Sequence, residues 1–292
     1  MNYEGNIIRP PSEASSLILQ VTVGCSHNRC TFCPAYRDKI FRIKPFDDVF
    51  ADIDQIAARE ADTIRRIFLC DGDPLIMPQQ NLMALLEYIK DKFLRLQRVG
   101  IYGNAKSILR KSLKDLQELR HKKLGIIYMG LESGDRQTLE RVQKGVTPEQ
   151  MIEAAGRVRQ AGIKLNVTIL LGLGGRDRSR EHALATMQVL NRMQPNHVAA
   201  LTLMLVPGTP LYNDFERGEF SLPDKYELIK ELRTLIEESQ LNNSLFFSNH
   251  ASNYFQVKAR LSKDKERILR KIDQVISSGD ESALQSELMR GL

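Results

Sequence analysis

Leu17-Ile18-Leu19-Gln20-Val21-Thr22-Val23 runs directly into Gly24-Cys25-Ser26-His27-Asn28-Arg29-Cys30-Thr31-Phe32-Cys33. The first seven residues are an apolar, β-branched run of strand length, read as a buried β-strand. The loop after it holds three of the chain's four cysteines. Three thiolates on one short loop can hold three corners of an iron–sulfur cube and leave the fourth iron open, whereas a closed structural site ordinarily takes four protein ligands. A loop, unlike a helix or strand, absorbs the unequal gaps of Cys25-x4-Cys30-x2-Cys33. A zinc site completed by His27 or by a distant residue is the other reading of the same side chains.

The rest of the chain sets the context for that loop. Its 292 residues are 42% apolar, enough for one large α/β domain or two small ones with a sizeable core. Four cysteines, three of them clustered, do not make a disulfide framework and fit a reducing compartment. No segment approaches the roughly 18 uninterrupted apolar residues of a membrane span. Met1 to Pro11 also lacks the charged-then-apolar layout of a signal peptide. The expected protein is therefore soluble, cytoplasmic and without a membrane partner. A net charge of +6, with both signs interspersed, reads mainly as a solvated surface and does not choose the substrate; a nucleic-acid partner is not expected because nothing resembles a basic RNA-binding domain.

Downstream, strand-length apolar runs alternate with helix-length amphipathic stretches, the pattern of βα units around a parallel sheet. Strands are expected at Leu17 to Val23, Arg66 to Cys70, Arg98 to Tyr102, Gly125 to Met129, Leu165 to Leu171 and His197 to Leu205. Helices are expected at Asp47 to Arg59, Gln79 to Phe93, Leu113 to Lys122, Pro148 to Ala161 and Ser179 to Met193. Thr147 before Pro148, with Glu149 and Gln150 after it, is a helix start. Eight units would close a barrel, so six predict an α/β partial (β/α)6 TIM-type barrel over residues 17–211, after a lead-in at 1–16. Residues 212–292 then read as a C-terminal helical extension, with helices at Pro223 to Gln240, Lys263 to Ile276 and Glu281 to Arg290.

In such barrels the reactive site lies at the C-terminal ends of the strands. Those ends are polar and glycine-rich here: Cys70-Asp71-Gly72-Asp73-Pro74, Gly103-Asn104, Gly130-Leu131-Glu132-Ser133-Gly134, Gly172-Leu173-Gly174-Gly175 and Val206-Pro207-Gly208. A structural barrel needs some glycines at its turns, but not acids and amides along one rim.

The cysteine loop with Phe32 before its last cysteine, together with these rims, resembles the radical S-adenosylmethionine (SAM) superfamily over roughly residues 17–211. The branch it resembles is typified by oxygen-independent coproporphyrinogen oxidase and anaerobic cyclase-like proteins. The gap between Cys25 and Cys30 is one residue longer than the family's usual spacing. The resemblance implies a [4Fe–4S] cluster on Cys25, Cys30 and Cys33, SAM as the second cofactor, and no cobalamin. It places Asp71, Gly72 and Asp73 at the SAM amino group, with Asp73 and nearby carbonyls as acceptors. It further implies Glu132 at the amino-acid or ribose portion and Lys144 at the carboxylate, a cation for an anion. Asn104 and Thr168 fall where polar SAM contacts occur in relatives, Thr168 replacing a frequent aspartate. Leu205 and Val206 fall beside the adenine.

The activity implied is an anaerobic oxidoreductase that cleaves SAM and abstracts hydrogen from a small organic or tetrapyrrole-like substrate. An electron donor such as flavodoxin or ferredoxin would reduce the cluster. A non-catalytic haem-handling chaperone on the same scaffold is the alternative, and a tRNA-modifying enzyme a weaker third reading. Two further expectations concern the substrate. Cys70 ends an apolar strand and reads either as a packed side chain or as a hydrogen donor. Asn249, His250 and Asn253 read either as a substrate-facing element or as a turn with asparagine caps.

Overall fold

Leu17–Gln20 forms strand β1 in the computed structural model, which describes residues 1–279 and 281–291. Next come β2 (Thr22–Val23), β3 (Arg42–Ile43), α1 (Phe46–Glu60), β4 (Arg66–Cys70), α2 (Gln79–Lys92) and β5 (Arg98–Tyr102). There follow α3 (Ala105–Leu109), α4 (Leu113–His121), β6 (Leu124–Glu132), α5 (Arg136–Arg141), α6 (Pro148–Gln160), β7 (Lys164–Leu171) and α7 (Ser179–Met193). The last are β8 (His197–Thr202), α8 (Pro210–Glu216), α9 (Lys225–Glu237), β9 (Leu245–Phe247), β10 (Lys258–Arg260) and α10 (Leu261–Ser278). Two compact units are distinguished: Met1–Asn28, Ala35–Met129 and Glu153–Leu165 make one, and Arg29–Pro34, Gly130–Ile152 and the residues from Asn166 onward make the other.

In the first unit β1, β4, β5 and β6 lie side by side and parallel, with Leu19 opposite Leu69, Ile67 opposite Val99 and Ile101 opposite Ile127. Parallel strands are covered on both faces, and Ile67, Phe68, Leu69 and Cys70 are accordingly all fully buried. Ile18, Phe68, Cys70, Ile126 and Tyr128 share one face, where Ile7 of the lead-in packs on them. Glu13 is buried beside this face and accepts hydrogen bonds from Tyr128 and Arg98. The lead-in is thus part of the core.

The expected first strand divides. Val21 N–H bonds the Cys70 carbonyl, but Thr22–Val23 turns out of the sheet to pair antiparallel with Arg42–Ile43. The cysteine segment therefore leaves and returns through a short hairpin.

In the second unit β7, β8 and β9 are parallel and β10 runs antiparallel to β9. Val167, Ile169, Val198, Ala200 and Phe246 form its dry face, while α7 packs on α9 and α9 on α10. The C-terminal extension is consequently not purely helical, since β9 continues the parallel sheet. The helix expected at Glu281 to Arg290 is replaced by 3-10 turns at Glu281–Ala283 and Glu287–Met289. Its few apolar residues make no continuous stripe, Leu288 and Met289 are exposed, and Gln285 N–H bonds the Tyr254 carbonyl instead. β6 runs on to Glu132, and β8 stops at Thr202 rather than Leu205.

Helix ends follow the local chemistry. Ser112 and Asp115 form a reciprocal capping box at α4, and Asp224 and Glu227 another at α9. At α6, Thr147 N–H bonds the Gln150 side chain and Gln150 N–H bonds the Thr147 hydroxyl, the start expected from sequence. Among the described residues, no helix is long and apolar enough to cross a membrane.

Candidate functional site

The loop begins at Gly24, whose φ of 76° suits a residue without a side chain. Its N–H donates to Asp71 Oδ2 at 3.0 Å, and its carbonyl accepts from Gly72 N–H at 3.0 Å. Gly72 is required by proximity: a Cβ there would lie 2.7 Å from the Cβ and 2.9 Å from the Cα of Cys25. Asn28 Nδ2 ties the loop to the carbonyls of Tyr36 at 2.7 Å and Lys39 at 3.3 Å. In the second unit, Thr31 is buried between two backbone bonds, from its N–H to Val142 O and from Leu211 N–H to its own carbonyl. Phe32 and Leu205 both pack on the cluster formed by Val142, Leu173, Leu203, Leu211 and Phe220. Cys25, Cys30 and Cys33 are all half-buried.

Asp73 does not offer its carboxylate to a ligand. It is fully buried, and Oδ2 accepts from Ser26 Oγ at 2.5 Å, Ser107 Oγ at 2.6 Å and Asn104 Nδ2 at 2.7 Å, while Oδ1 accepts from Asn104 N–H at 3.2 Å. Burial nevertheless pushes its carboxyl up to about 6, against the pull of those hydrogen bonds. Asn104 is equally committed: Oδ1 caps α3 at Ser107 N–H and Nδ2 also reaches Ser26. The pair therefore fixes the cysteine loop to the ends of β4 and β5 instead of holding an ammonium group. Asp71, also buried, accepts from Lys39 Nζ at 3.1 Å. Beside it, burial raises the Tyr36 hydroxyl well above the ordinary tyrosine range.

The turn after β6 is built differently. Glu132 adopts a left-handed φ of 64°, a conformation that non-glycine residues avoid at a cost of about 1–2 kcal/mol. Its carboxylate folds over Gly130, where a Cβ would fall 2.0 Å from Oε1, and accepts from Lys144 Nζ at 2.9 Å. Both side chains keep about an eighth of their surface exposed, 12% and 13%. Gly134 lies against the backbone of α7, a Cβ being 2.3 Å from the Ala185 carbonyl oxygen, and its N–H bonds Thr186 Oγ1 at 2.9 Å. Sequence reasoning missed Ser107 and His182, and quoted Ser133 within the rim stretch without giving it a role. Ser107 had a local signal, as the third residue after a helix-capping asparagine, and Ser133 had its place on the rim; His182 had none.

Other expected residues fall elsewhere. Thr168 is half-buried on β7 opposite Ala199, and Val206 is half-buried near Leu205. Cys70 lies wholly in the core against Phe68 and Tyr128, and burial together with Asp71 pushes its thiol up to about 12, which disfavours an exposed hydrogen-donor role. Asn253 is buried and structural, accepting from Thr202 Oγ1 and donating to the Ala200 carbonyl, each at 2.9 Å. His250 accepts from Ser252 N–H in a local turn, and Asn249 is exposed.

Among the described residues, no three His, Cys, Asp or Glu side chains converge as a single bound metal ion demands. A cube makes no such demand, because each thiolate takes a different iron. Half-buried thiols on one loop, with the space beside Cys25 kept clear by Gly72, suit a thiolate-held cluster. The sequence profile of the radical SAM superfamily matches residues 19–190. The chain belongs to the radical SAM superfamily. Family membership implies a [4Fe–4S] cluster and SAM.

Curated relatives of this radical SAM chain include the heme chaperone HemW of Buchnera aphidicola, 22% identical over 70% of this chain and 54% of that protein. HemW of Bacillus subtilis is also 22% identical, over 70% of this chain and 56% of its own length. The chain thus spans about half the length of these relatives. Among solved structures, the coproporphyrinogen III oxidase HemN of Escherichia coli superposes with a TM-score of 0.60 at 14% identity, covering 94% of this chain and 61% of that one. The likeness shows the fold, the partial TIM-type barrel of the superfamily.

Proposed function

We propose that the protein is a radical SAM enzyme that holds a [4Fe–4S] cluster on Cys25, Cys30 and Cys33 and acts on a small organic or tetrapyrrole-like substrate. A cluster held on those three thiolates would supply one electron, drawn from a flavodoxin or ferredoxin, for the reductive cleavage of bound SAM and so for hydrogen abstraction from the substrate. The observation that carries the reading is the half-buried Glu132–Lys144 pair at the end of β6. Ion-paired with each other, the two could exchange partners with a zwitterion, Lys144 meeting the carboxylate of SAM and Glu132 its ammonium group or ribose hydroxyls. Asp73, Ser26 and Asn104 keep the Cys25 side of the loop in register with β4 and β5. Phe32 and Leu205, which pack on one apolar cluster, with Val206 next in the chain, are the apolar residues this reading sets beside the purine.

A second reading, a haem-handling chaperone, is favoured by the two relatives named as heme chaperones. Anaerobic reconstitution with iron and sulfide, then reduction in the presence of SAM, separates the two. The enzyme reading expects 5′-deoxyadenosine, which single alanine replacements of Cys25, Cys30 or Cys33 abolish. A reconstituted, reducible protein that yields none would overturn it in favour of the chaperone.

A further inference from the structure

Behind the Glu132 turn lies a buried polar chain that ends on the C-terminal extension. Ser133 Oγ, fully buried, stands 2.7 Å from His182 Nδ1 and accepts from Asp135 N–H at 3.0 Å. His182 Nε2 lies 3.0 Å from the Leu170 carbonyl and 3.4 Å from Glu231 Oε1. Glu231, on α9 and 2% exposed, accepts from Gly172 N–H at 2.7 Å and from Ser179 Oγ at 2.5 Å.

One protonation pattern satisfies every donor. With the ring neutral and its proton on Nε2, Ser133 donates to Nδ1 while Nε2–H donates to the Leu170 carbonyl. A ring protonated at both nitrogens would leave the buried Ser133 hydroxyl proton without an acceptor among the described residues. The order serine, histidine, glutamate resembles a hydrolytic triad, but a serine with no exposed surface cannot reach a substrate. What the chain can do is hold the residue next to it. Glu132 sits in a left-handed conformation that persists only where its surroundings impose it. Its neighbour Ser133 is clamped by His182, and Gly134 by Thr186. Gly174 leaves room for His182, since a Cβ at 174 would come within 2.7 Å of the His182 Cβ.

We propose that Ser133, His182 and Glu231 are positioning residues that hold Glu132 and Lys144 in the geometry that receives the aminobutyrate portion of SAM. The proposal rests on the SAM-binding reading above. Glu231 lies beyond residue 190, where the family match ends, so the extension itself supports the nucleotide site. Rigid support of this kind confers precision on a contact residue without touching the ligand.

The test compares two ligands on the reconstituted protein: SAM, and 5′-methylthioadenosine, which keeps adenosine and sulfur but lacks the aminobutyrate. Dissociation constants are measured by equilibrium dialysis for the wild type, Ser133→Ala, His182→Asn and Glu231→Gln, with melting temperature and iron content as controls. The expected result is a loss of SAM affinity of at least tenfold in Ser133→Ala. Methylthioadenosine binding stays within twofold of wild type, and His182→Asn, which retains a hydrogen-bonding atom near Nδ1, shows a smaller loss. Equal weakening of both ligands, or SAM affinity unchanged in a variant that melts like the wild type, would overturn the positioning role while leaving the SAM reading standing. Failure of the wild type to bind SAM would instead overturn that reading, and the proposal with it.

Discussion

The hydroxyl of Ser26, next to the first loop cysteine, donates to the buried carboxylate of Asp73 at 2.5 Å. Because Asp73 also gathers Asn104 and Ser107, one carboxylate joins the cysteine loop, the end of β4 and the start of α3. Its pKa is raised from an ordinary 3.8 to about 6. A group that binds its proton more tightly when folded contributes stability that is fully present below 3.8 and lost as pH rises through 6. The difference corresponds to about 3 kcal/mol. Urea denaturation between pH 4 and pH 7 should therefore show wild type losing stability relative to Asp73→Asn as pH rises. Parallel stability curves for the two proteins would show that Asp73 ionises without cost.

Gly72→Ala drives a Cβ into the backbone and side chain of Cys25, atoms that cannot swing away. Overpacking of this kind costs about 1–3 kcal/mol. The variant should melt earlier and take up less iron on reconstitution; full iron content in Gly72→Ala would mean that the loop is not held in the observed position.

Lys144→Met removes the cation paired with Glu132. SAM affinity should fall at least tenfold, or about 1.4 kcal/mol, in calorimetric titration of the reconstituted protein. Undiminished affinity would place the SAM carboxylate on another group.

Cys70 should be chemically silent in the folded state, its thiol being buried and pushed up to about 12. Iodoacetamide at pH 8 should label Cys25 of the cluster-free protein and spare Cys70 until urea is added, as read by peptide mass spectrometry. Native-state labelling of Cys70 would expose an opening of the core at β4.

Asn253→Ala removes two hydrogen bonds to β8 and leaves the Ala200 carbonyl unpaired, at a cost of about 1–3 kcal/mol. Asn249→Ala, at an exposed position, should leave the melting temperature unchanged. The reverse order would mean that Asn253 does not hold β8 through these two bonds.

The strands and rims were legible in sequence because period and composition are local: Arg66 to Cys70 is apolar, and Asp71-Gly72-Asp73 breaks it. The helix start at Thr147 was equally local. What sequence hides is which partner a polar rim residue finds. Ser26, Ser107 and Asn104 lie 31 to 47 residues from Asp73, and nothing in the spacing says that they saturate it. β9 escaped notice because three residues carry no period, and its parallel pairing with β8 comes from tertiary contact. Glu132 was picked out by the resemblance of its stretch to the family, whereas its left-handed backbone and the His182–Glu231 chain behind it come only from the fold.

The central claim is a cluster held by three thiolates with one iron open to SAM. Mössbauer spectroscopy of protein reconstituted with 57Fe, recorded before and after SAM is added, tests it most directly. One iron of the four should change its isomer shift and quadrupole splitting while the other three stay as they were, and Cys25→Ala should hold no such cluster. A spectrum that SAM leaves unchanged, or iron-free protein holding stoichiometric zinc on the same cysteines, would contradict the account.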